Sequence, residues 1–276
     1  MKLKQRLLPA AGIVLVTLVC VGACRPTRIL FFSVLAWMSL WELRSVLASI
    51  YQPFCLGVPA VYVLLQSALC LFKPALEGEL FWALSFAALA LCAFAILALG
   101  VLFPSRLGHA AAFNTLAGLV WPCVFYTACM MALQAERWLP VACVGILAVW
   151  ACDSMALIIG RGLGKHKIAP SVSPNKTRLG CFGGALASLI CGALFWWFFR
   201  ESYAIPLPVF MVISLLATTA GQLGDLVASM LKRLCGEKDF SHLLPEHGGI
   251  LDKTDSILFA LPTAALLFEL YFRLPV

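Results

Sequence analysis

An all-α polytopic membrane protein with about nine transmembrane helices is the fold this sequence predicts, from its composition, the length of its apolar runs and the placement of its positive charge. Hydrophobic residues make up 62% of the 276-residue chain and charged residues 12%, against about 45–50% and about 25% in soluble domains. Crossing a hydrocarbon core of ~30 Å takes about 20 helical residues. Apolar runs of that order lie at about 8–24, 29–50, 54–72, 80–103, 110–133, 138–160, 179–199, 205–223 and 256–273. They are apolar all round, without the alternation of barrel strands, so helices are the elements that satisfy their backbone in lipid.

Lysines and arginines orient these runs, because cytoplasmic loops carry the excess. With the N-terminus inside, the inner segments hold Lys2, Lys4 and Arg6; Arg44; Arg106; Arg161, Lys165, Lys167, Lys176 and Arg178; and Lys232, Arg233, Lys238 and Lys253. The outer segments hold Arg25, Arg28, Lys73, Arg137, Arg200 and Arg273. The expected location is therefore the cell (inner) membrane, multi-pass, with the polar loops after the sixth and eighth runs facing the cytoplasm. The first run follows a basic stretch, as a signal peptide would, and Val21-Gly22-Ala23-Cys24 is similar to a lipoprotein cleavage box. Eight further spans make an uncleaved anchor sufficient.

A net charge of +7 fits loop orientation and affinity for anionic head groups and phosphates. No basic run is interleaved with aromatic residues, so nucleic acid is not an expected partner. The 12 cysteines lie mostly in apolar runs without a C-x-x-C pair. They read as small packing residues, and neither a disulfide framework nor a zinc site is expected.

Chemistry concentrates in a few polar places. A carboxylate inside the hydrocarbon costs about 2.5–3.5 kcal/mol, so Asp153 in the sixth run needs a reason. With Ser154 it fits the rim of a polar cavity facing the active site, and equally a pairing with a lysine of the next loop or a bond to a neighbouring helix. Glu42 in the second run has Arg44 close enough to accompany it to the interface. Gly160-Arg-Gly-Leu-Gly-Lys165-His-Lys167 opens a basic loop whose glycines let backbone amides approach an anion. It is not a Walker A loop. In Ala169-Pro170-Ser-Val-Ser173-Pro174-Asn-Lys176-Thr177 two prolines stiffen an extended segment that presents two hydroxyls and a lysine, suited to a triphosphate or a lipid phosphate.

Asp225, Ser229 and Lys232 are spaced i, i+4, i+7 and share one helical face beside Arg233, a pattern that also suits a wet face of an interfacial helix. Asp225, Asp252 and Asp255 offer the hard oxygens that Mg2+ prefers, and Asp252 and Asp255 share a face if the ninth helix begins there. His247-Gly248-Gly249 reads as a tight turn where backbone comes close to a ligand. His247 fits a proton acceptor, a phosphate donor or a turn residue, with phosphate contact ranked first and structure second.

The stretch Ser229–Asp255 carries S-x-x-K-R-x4-K-D-x5-P-x-H-G-G-x-x-D-K-x-D, and Asp153–Thr177 carries D-S-x-A-x-x-x-G-R-x-x-G-K-x-x-I-A-P-x-V-S-P-x-K-T. Both resemble the signatures of the phosphatidate cytidylyltransferases, or CDP-diacylglycerol synthases. The detailed likeness covers the chain from about Trp150 onward. It implies transfer of a cytidylyl group from CTP to phosphatidate, giving CDP-diacylglycerol and pyrophosphate, a magnesium requirement with a second metal ion beside it, contact with membrane lipids, and a homodimer.

In this reading residues 1–137 form an N-terminal transmembrane region and 138–276 a C-terminal catalytic region of a single membrane domain. The resemblance implies a catalytic set of Asp225, Lys232, Arg233, Lys238, Asp239, His247, Asp252, Lys253 and Asp255. Substrate would be bound by Asp153, Ser154, Lys165, Ser173, Lys176, Thr177, Ser229, Gly248 and Gly249, and metal by Asp225, Asp252 and Asp255. Lys253 departs from the family's arginine, keeping charge but losing the planar fork. Arg178-Leu179 departs from the aromatic-then-acidic or amide pair that often follows Lys-Thr.

Nucleotidyl transfer accounts for these residue types. A lipid phosphate oxygen attacks the α-phosphorus, pyrophosphate leaves, and cations and metal offset the negative charge. The nucleophile is already anionic at neutral pH, so no strong base is demanded. A CTP-dependent polyprenol or phytol kinase shares the need for lipid, nucleotide and metal. A transporter would instead spread polar residues along broken helices near the midplane, often in repeated halves, and an inactive structural relative would not need the three aspartates.

Overall fold

The computed structural model describes residues 3–50, 53–104, 108–244 and 248–273. Among them are nine long helices: α1 Leu3–Gly22, α2 Arg25–Ser49, α3 Gly57–Phe72, α4 Gly78–Leu102, α5 Gly108–Ala132, α6 Trp138–Leu163, α7 Arg178–Tyr203, α8 Leu207–Leu234 and α9 Leu251–Arg273. A two-stranded antiparallel hairpin, β1 Lys167–Ala169 and β2 Ser173–Thr177, joins α6 to α7. Eight helices are long and apolar enough to cross a membrane, and α1 adds the shorter apolar helix Ala11–Gly22. The chain is an all-helical, multi-pass membrane protein.

Local sequence accounts for the breaks. Pro26 sits in the first turn of α2, where its missing N–H costs nothing. Pro122 interrupts α5, and Trp121 before it takes φ −129°, ψ 115°, because proline cannot donate to the preceding turn and pushes its neighbour out of the helical region. Thr177 caps α7, its Oγ1 accepting from Gly180 N at 3.1 Å, and α7 ends at Ala204 with φ 49°.

Two boundaries differ from expectation. The eighth apolar run ends near 223, yet α8 continues to Leu234. Hydropathy falls there because one face turns polar at Asp225, Ser229 and Lys232, while Leu226, Val227, Met230 and Leu234 keep the helix amphipathic. The ninth helix begins at Leu251, five residues before its apolar run, so Asp252 and Asp255 lie one turn apart at its start.

The chain divides into two compact units, Met1–Met131 with Cys235–Lys253, and Ala132–Leu234 with Thr254–Val276. The first unit packs α2 to α5 around Ile29, Phe32, Leu40, Val63, Phe81, Leu119 and Tyr126, all no more than 2% exposed. A hydrogen bond of 2.7 Å between Ser39 Oγ and Tyr126 OH satisfies two hydroxyls inside that core. In the second unit Ser188, Ser214 and Thr218 bond one another across α7 and α8 at 2.6–2.9 Å, and Phe210 meets Phe268 edge-on, 5.2 Å between ring centres.

Large apolar side chains are also exposed, Phe94 and Phe198 among them at 70% and 68%. This is the arrangement of helices whose outer faces meet lipid tails. Polar contacts sort to opposite ends within each unit. In the first, Arg25 donates to the Cys70 carbonyl at one end, and Glu42 near the far end of α2 engages the α8–α9 loop. In the second, Arg137 covers the Phe272 ring and Arg200 the Trp197 ring at one end. Lys176 and Asp225 pair at the other.

Candidate active site

In the second unit, charged groups gather where α6, β2, α8 and α9 meet. Lys176 on β2 places Nζ 2.8 Å from Asp225 Oδ2 and donates to the Gln222 carbonyl at 3.0 Å. One turn further along α8, Ser229 Oγ donates to Asp225 Oδ1 at 3.3 Å. Asp255 is buried at 6% exposure, its Oδ1 accepting the Ser256 amide at 2.7 Å. Its charged neighbours are Asp225, Lys232 and Asp153, and Lys232 is itself buried.

The helices come this close because of glycine. A Cβ on Gly224 would lie 2.7 Å from the Asp255 carbonyl oxygen and strike the Phe259 ring, so only a glycine lets α8 and α9 bring the two aspartates side by side.

Of the residues named from sequence, Lys176, Asp225 and Ser229 are thus bonded to one another, and Asp255 feels the charges of Asp225, Lys232 and Asp153. Other candidates stand apart. Ser154 is exposed and bonds the Trp150 carbonyl of its own helix at 2.7 Å. Lys165 is exposed, and Ser173 is half-buried at the start of β2. Arg233 is exposed and donates to the Val172 carbonyl at 3.3 Å, which ties the hairpin to α8. The Thr177 hydroxyl, read as a substrate contact, is buried and spent on capping α7.

In the first unit the loop from Cys235 to Ile250 carries exposed Lys238 and half-buried Asp239, and Lys253 follows, half-buried, with its amide on the Ile250 carbonyl at 3.0 Å. His247 lies outside the described residues. Two carboxylates organise this loop. Asp252 Oδ2 accepts the amides of Phe240 and Gly249, both at 2.8 Å. Glu42 Oε1 accepts Ser241 Oγ at 2.7 Å and the Ile250 amide at 2.8 Å, and its Oε2 accepts the Leu251 amide at 2.8 Å.

These two groups explain the glycine pair. A Cβ on Gly248, whose φ is +80°, would lie 2.8 Å from Asp252 Oδ2, and one on Gly249 would lie 2.5 Å from Glu42 Oε1. A ligand was expected to come close to the backbone at Gly248-Gly249, and the groups that the structure places there are the protein's own carboxylates.

Glu42 is the buried carboxylate whose weight the sequence understated. It is 0% exposed, where proximity to Arg44 suggested an interfacial pair. An acidic residue inside an apolar run was the available signal, and it stands 208 positions from the Ile250 amide it holds. Gln222, whose amide reaches Cys152 Sγ at 3.0 Å while its carbonyl takes Lys176, was also missed. It marks the polar end of the eighth run.

Among the described residues no group of three or more His, Cys, Asp or Glu side chains is arranged to hold a metal ion. Asp225 and Asp255 supply the right hard oxygens in pairwise proximity, with the Lys176 ammonium meeting the charge of Asp225. Such a cluster of anionic ligands and cations can bind phosphates and offset the charge that builds up when one is transferred.

The model of the cytidylyltransferase family matches residues 4–271. This chain belongs to the cytidylyltransferase family. Members of this family are nucleotidyltransferases, and the chain is 33% identical over 274 residues to the phosphatidate cytidylyltransferase of Bacillus subtilis (strain 168), an alignment covering 98% of each chain. It is 46% identical over 121 residues to the phosphatidate cytidylyltransferase of Staphylococcus saprophyticus, and 46% identical over 123 residues to that of Staphylococcus aureus (strain COL). Those two alignments cover 44% of this chain and 46% of each staphylococcal chain, about half the length of those relatives.

Proposed function

We infer that this protein acts on phosphatidate, converting CTP and phosphatidate to CDP-diacylglycerol and pyrophosphate in phospholipid biosynthesis. The full-length likeness to a relative of that name supports the substrate pair. The observation that carries the chemistry is the Lys176–Asp225 pair with Asp255 buried beside it, at one end of long apolar helices. A phosphate from lipid and a triphosphate from water meet most easily at such an end.

An oxygen of the lipid phosphate forms a bond to the α-phosphorus of CTP while the bond from that phosphorus to the bridging oxygen of the β-phosphate breaks. Pyrophosphate departs with the electron pair. Lys176 and Lys232 stand where phosphate charge is to be offset, and Asp225 orients Lys176 and Ser229 by holding both. Lys165, Lys238, Lys253 and His247 are assigned to the same reaction by their motif positions. Mg2+ is the cofactor we propose, with Asp225 and Asp255 as its carboxylate ligands; when bound it would neutralise the phosphates and align the in-line displacement. A second metal ion and a homodimer belong to the same reading, as does a cytoplasmic face for both motif loops.

The test is transfer of label from α-phosphate-labelled CTP into lipid by detergent-purified protein given phosphatidate, with and without Mg2+. Label in the lipid phase only with Mg2+ is the expected result. Release of CDP with phosphorylation of a lipid alcohol would identify a kinase instead.

A further inference from the structure

We propose that Glu42, on a helix with no part in either sequence motif, is a positioning residue for cytidylyl transfer, holding the α8–α9 loop in its reactive shape from a distance. The inference rests on the activity proposed above. Its basis is a buried carboxylate with all its bonds aimed at one target. Glu42 is 0% exposed on α2, and each of its three hydrogen bonds goes to the Ser241–Leu251 segment.

A carboxylate in a membrane span is costly and is retained where it has work to do. Here it takes the two amides that open α9, which no preceding turn can satisfy. The next residue, Asp252, takes two more amides of the same loop, from Phe240 and Gly249. The loop carries Lys238 and Asp239, and the two carboxylates hold it at Phe240 and Ser241 and at Gly249, Ile250 and Leu251.

Gly249 is the second half of the device. Its missing side chain is the space the Glu42 carboxylate fills, since a Cβ there would sit 2.5–2.6 Å from both carboxylate oxygens. Glutamine cannot replace Glu42 without loss. Its oxygen can serve Ser241 and Ile250, but its NH2 then faces the Leu251 N–H, donor against donor. Glu42→Gln and Gly249→Ala therefore damage one contact from its two sides, and their effects should not multiply.

The experiment compares Glu42→Gln, Gly249→Ala, the double variant and the milder Ser241→Ala, each checked for monodispersity and unfolding temperature. Displacement of a reacting group by a shifted support costs about 10- to 100-fold in rate. We expect each of the first two variants to lose about that much in kcat with a smaller change in KM for CTP, the double variant to match the worse single one, and Ser241→Ala to lose less than about tenfold.

Multiplying losses in the double variant, or full kcat in Glu42→Gln, would overturn the proposal. Hydrogen exchange of the peptide covering 241–252 provides a readout independent of the reaction. Faster exchange in Glu42→Gln with exchange elsewhere unchanged is expected, and unchanged exchange in that peptide also overturns it. If wild-type protein transfers no cytidylyl group while Glu42→Gln still loosens the segment, the assigned reaction is what has failed, and Glu42 remains the loop's anchor.

Discussion

Asp225 carries more of the candidate site than any other side chain, since Lys176 and Ser229 both bond to it and Asp255 lies next to it. Asp225→Asn keeps the shape and removes the charge, so Lys176 loses its ion pair and any bound cation loses a ligand. Cytidylyl transfer by Asp225→Asn is expected to fall by about 100-fold or more, the scale of losing one preorganised electrostatic group, with an unchanged helical circular-dichroism spectrum. Activity near wild type would remove Asp225 from the site.

Thr177 makes a contrasting case at the same scale. Its hydroxyl caps α7 from a buried position, so Thr177→Val should cost about 1 kcal/mol of stability, the usual value of an N-cap. Thermal unfolding in detergent measures this. A loss of kcat with no loss of stability would restore it as a substrate contact.

Helix contacts through α8 decide how near those side chains can come. Two glycines on one face of α8 meet α9, and they differ in tightness. A Cβ on Gly221 would find the Ser256 carbonyl oxygen at 3.1 Å and Ala260 Cβ at 3.3 Å, whereas one on Gly224 would meet the Asp255 carbonyl oxygen at 2.7 Å as well as the Phe259 ring. Replacing a helical glycine by alanine gains about 0.8–1 kcal/mol of propensity, which should leave Gly221→Ala close to neutral. Overpacking typically costs about 1–3 kcal/mol, so Gly224→Ala should unfold at lower temperature and lose activity as Asp255 moves. Equal unfolding temperatures for the two variants would show that α8 and α9 yield freely.

The extension of α8 to Leu234 was hidden from hydropathy because amphipathic helix and polar loop have similar averages over a window of spanning length. Its i, i+4, i+7 polar face was nonetheless visible once periodicity was read instead of the mean.

At the scale of the whole molecule, Cys24 offers a native reporter of the orientation that the lysines and arginines predict. It is exposed at the turn between α1 and α2, on the face the lysines and arginines place outside. Its hydrogen bond with Thr27 Oγ1, 3.1 Å away, holds the thiol below its ordinary pKa. A lowered pKa means more thiolate, and hence faster alkylation, at neutral pH and below than an ordinary thiol shows. A membrane-impermeant maleimide should label intact cells through Cys24, with labelling abolished in Cys24→Ser and still rapid near pH 7. Labelling that requires permeabilised cells would reverse the topology and put both motif loops on the outer side.

Sequence by itself determined that this chain is helical and membrane-spanning, where its spans lie to within about five residues except at the C-terminal end of α8, and which polar residues belong to two motifs. Those properties depend on composition, run length and spacing along the chain, which is the information a sequence holds directly. Asp153, Lys176, Asp225, Ser229 and Asp255 could be named as candidates because each interrupts an apolar or extended stretch with a group that is costly there.

Tertiary structure alone decided which of them touch, and by what means. That Lys176 pairs with Asp225, that Gly224 is the gap between α8 and α9, that Gly248 and Gly249 make room for Asp252 and Glu42, and that Thr177 is a cap all depend on groups up to about two hundred positions apart. A hydrogen bond reaches about 3 Å, and no spacing rule along one helix or one loop extends to a partner supplied by another. Glu42 shows this most plainly, because Arg44 is its neighbour in sequence while Ser241, Ile250 and Leu251 are its partners in space.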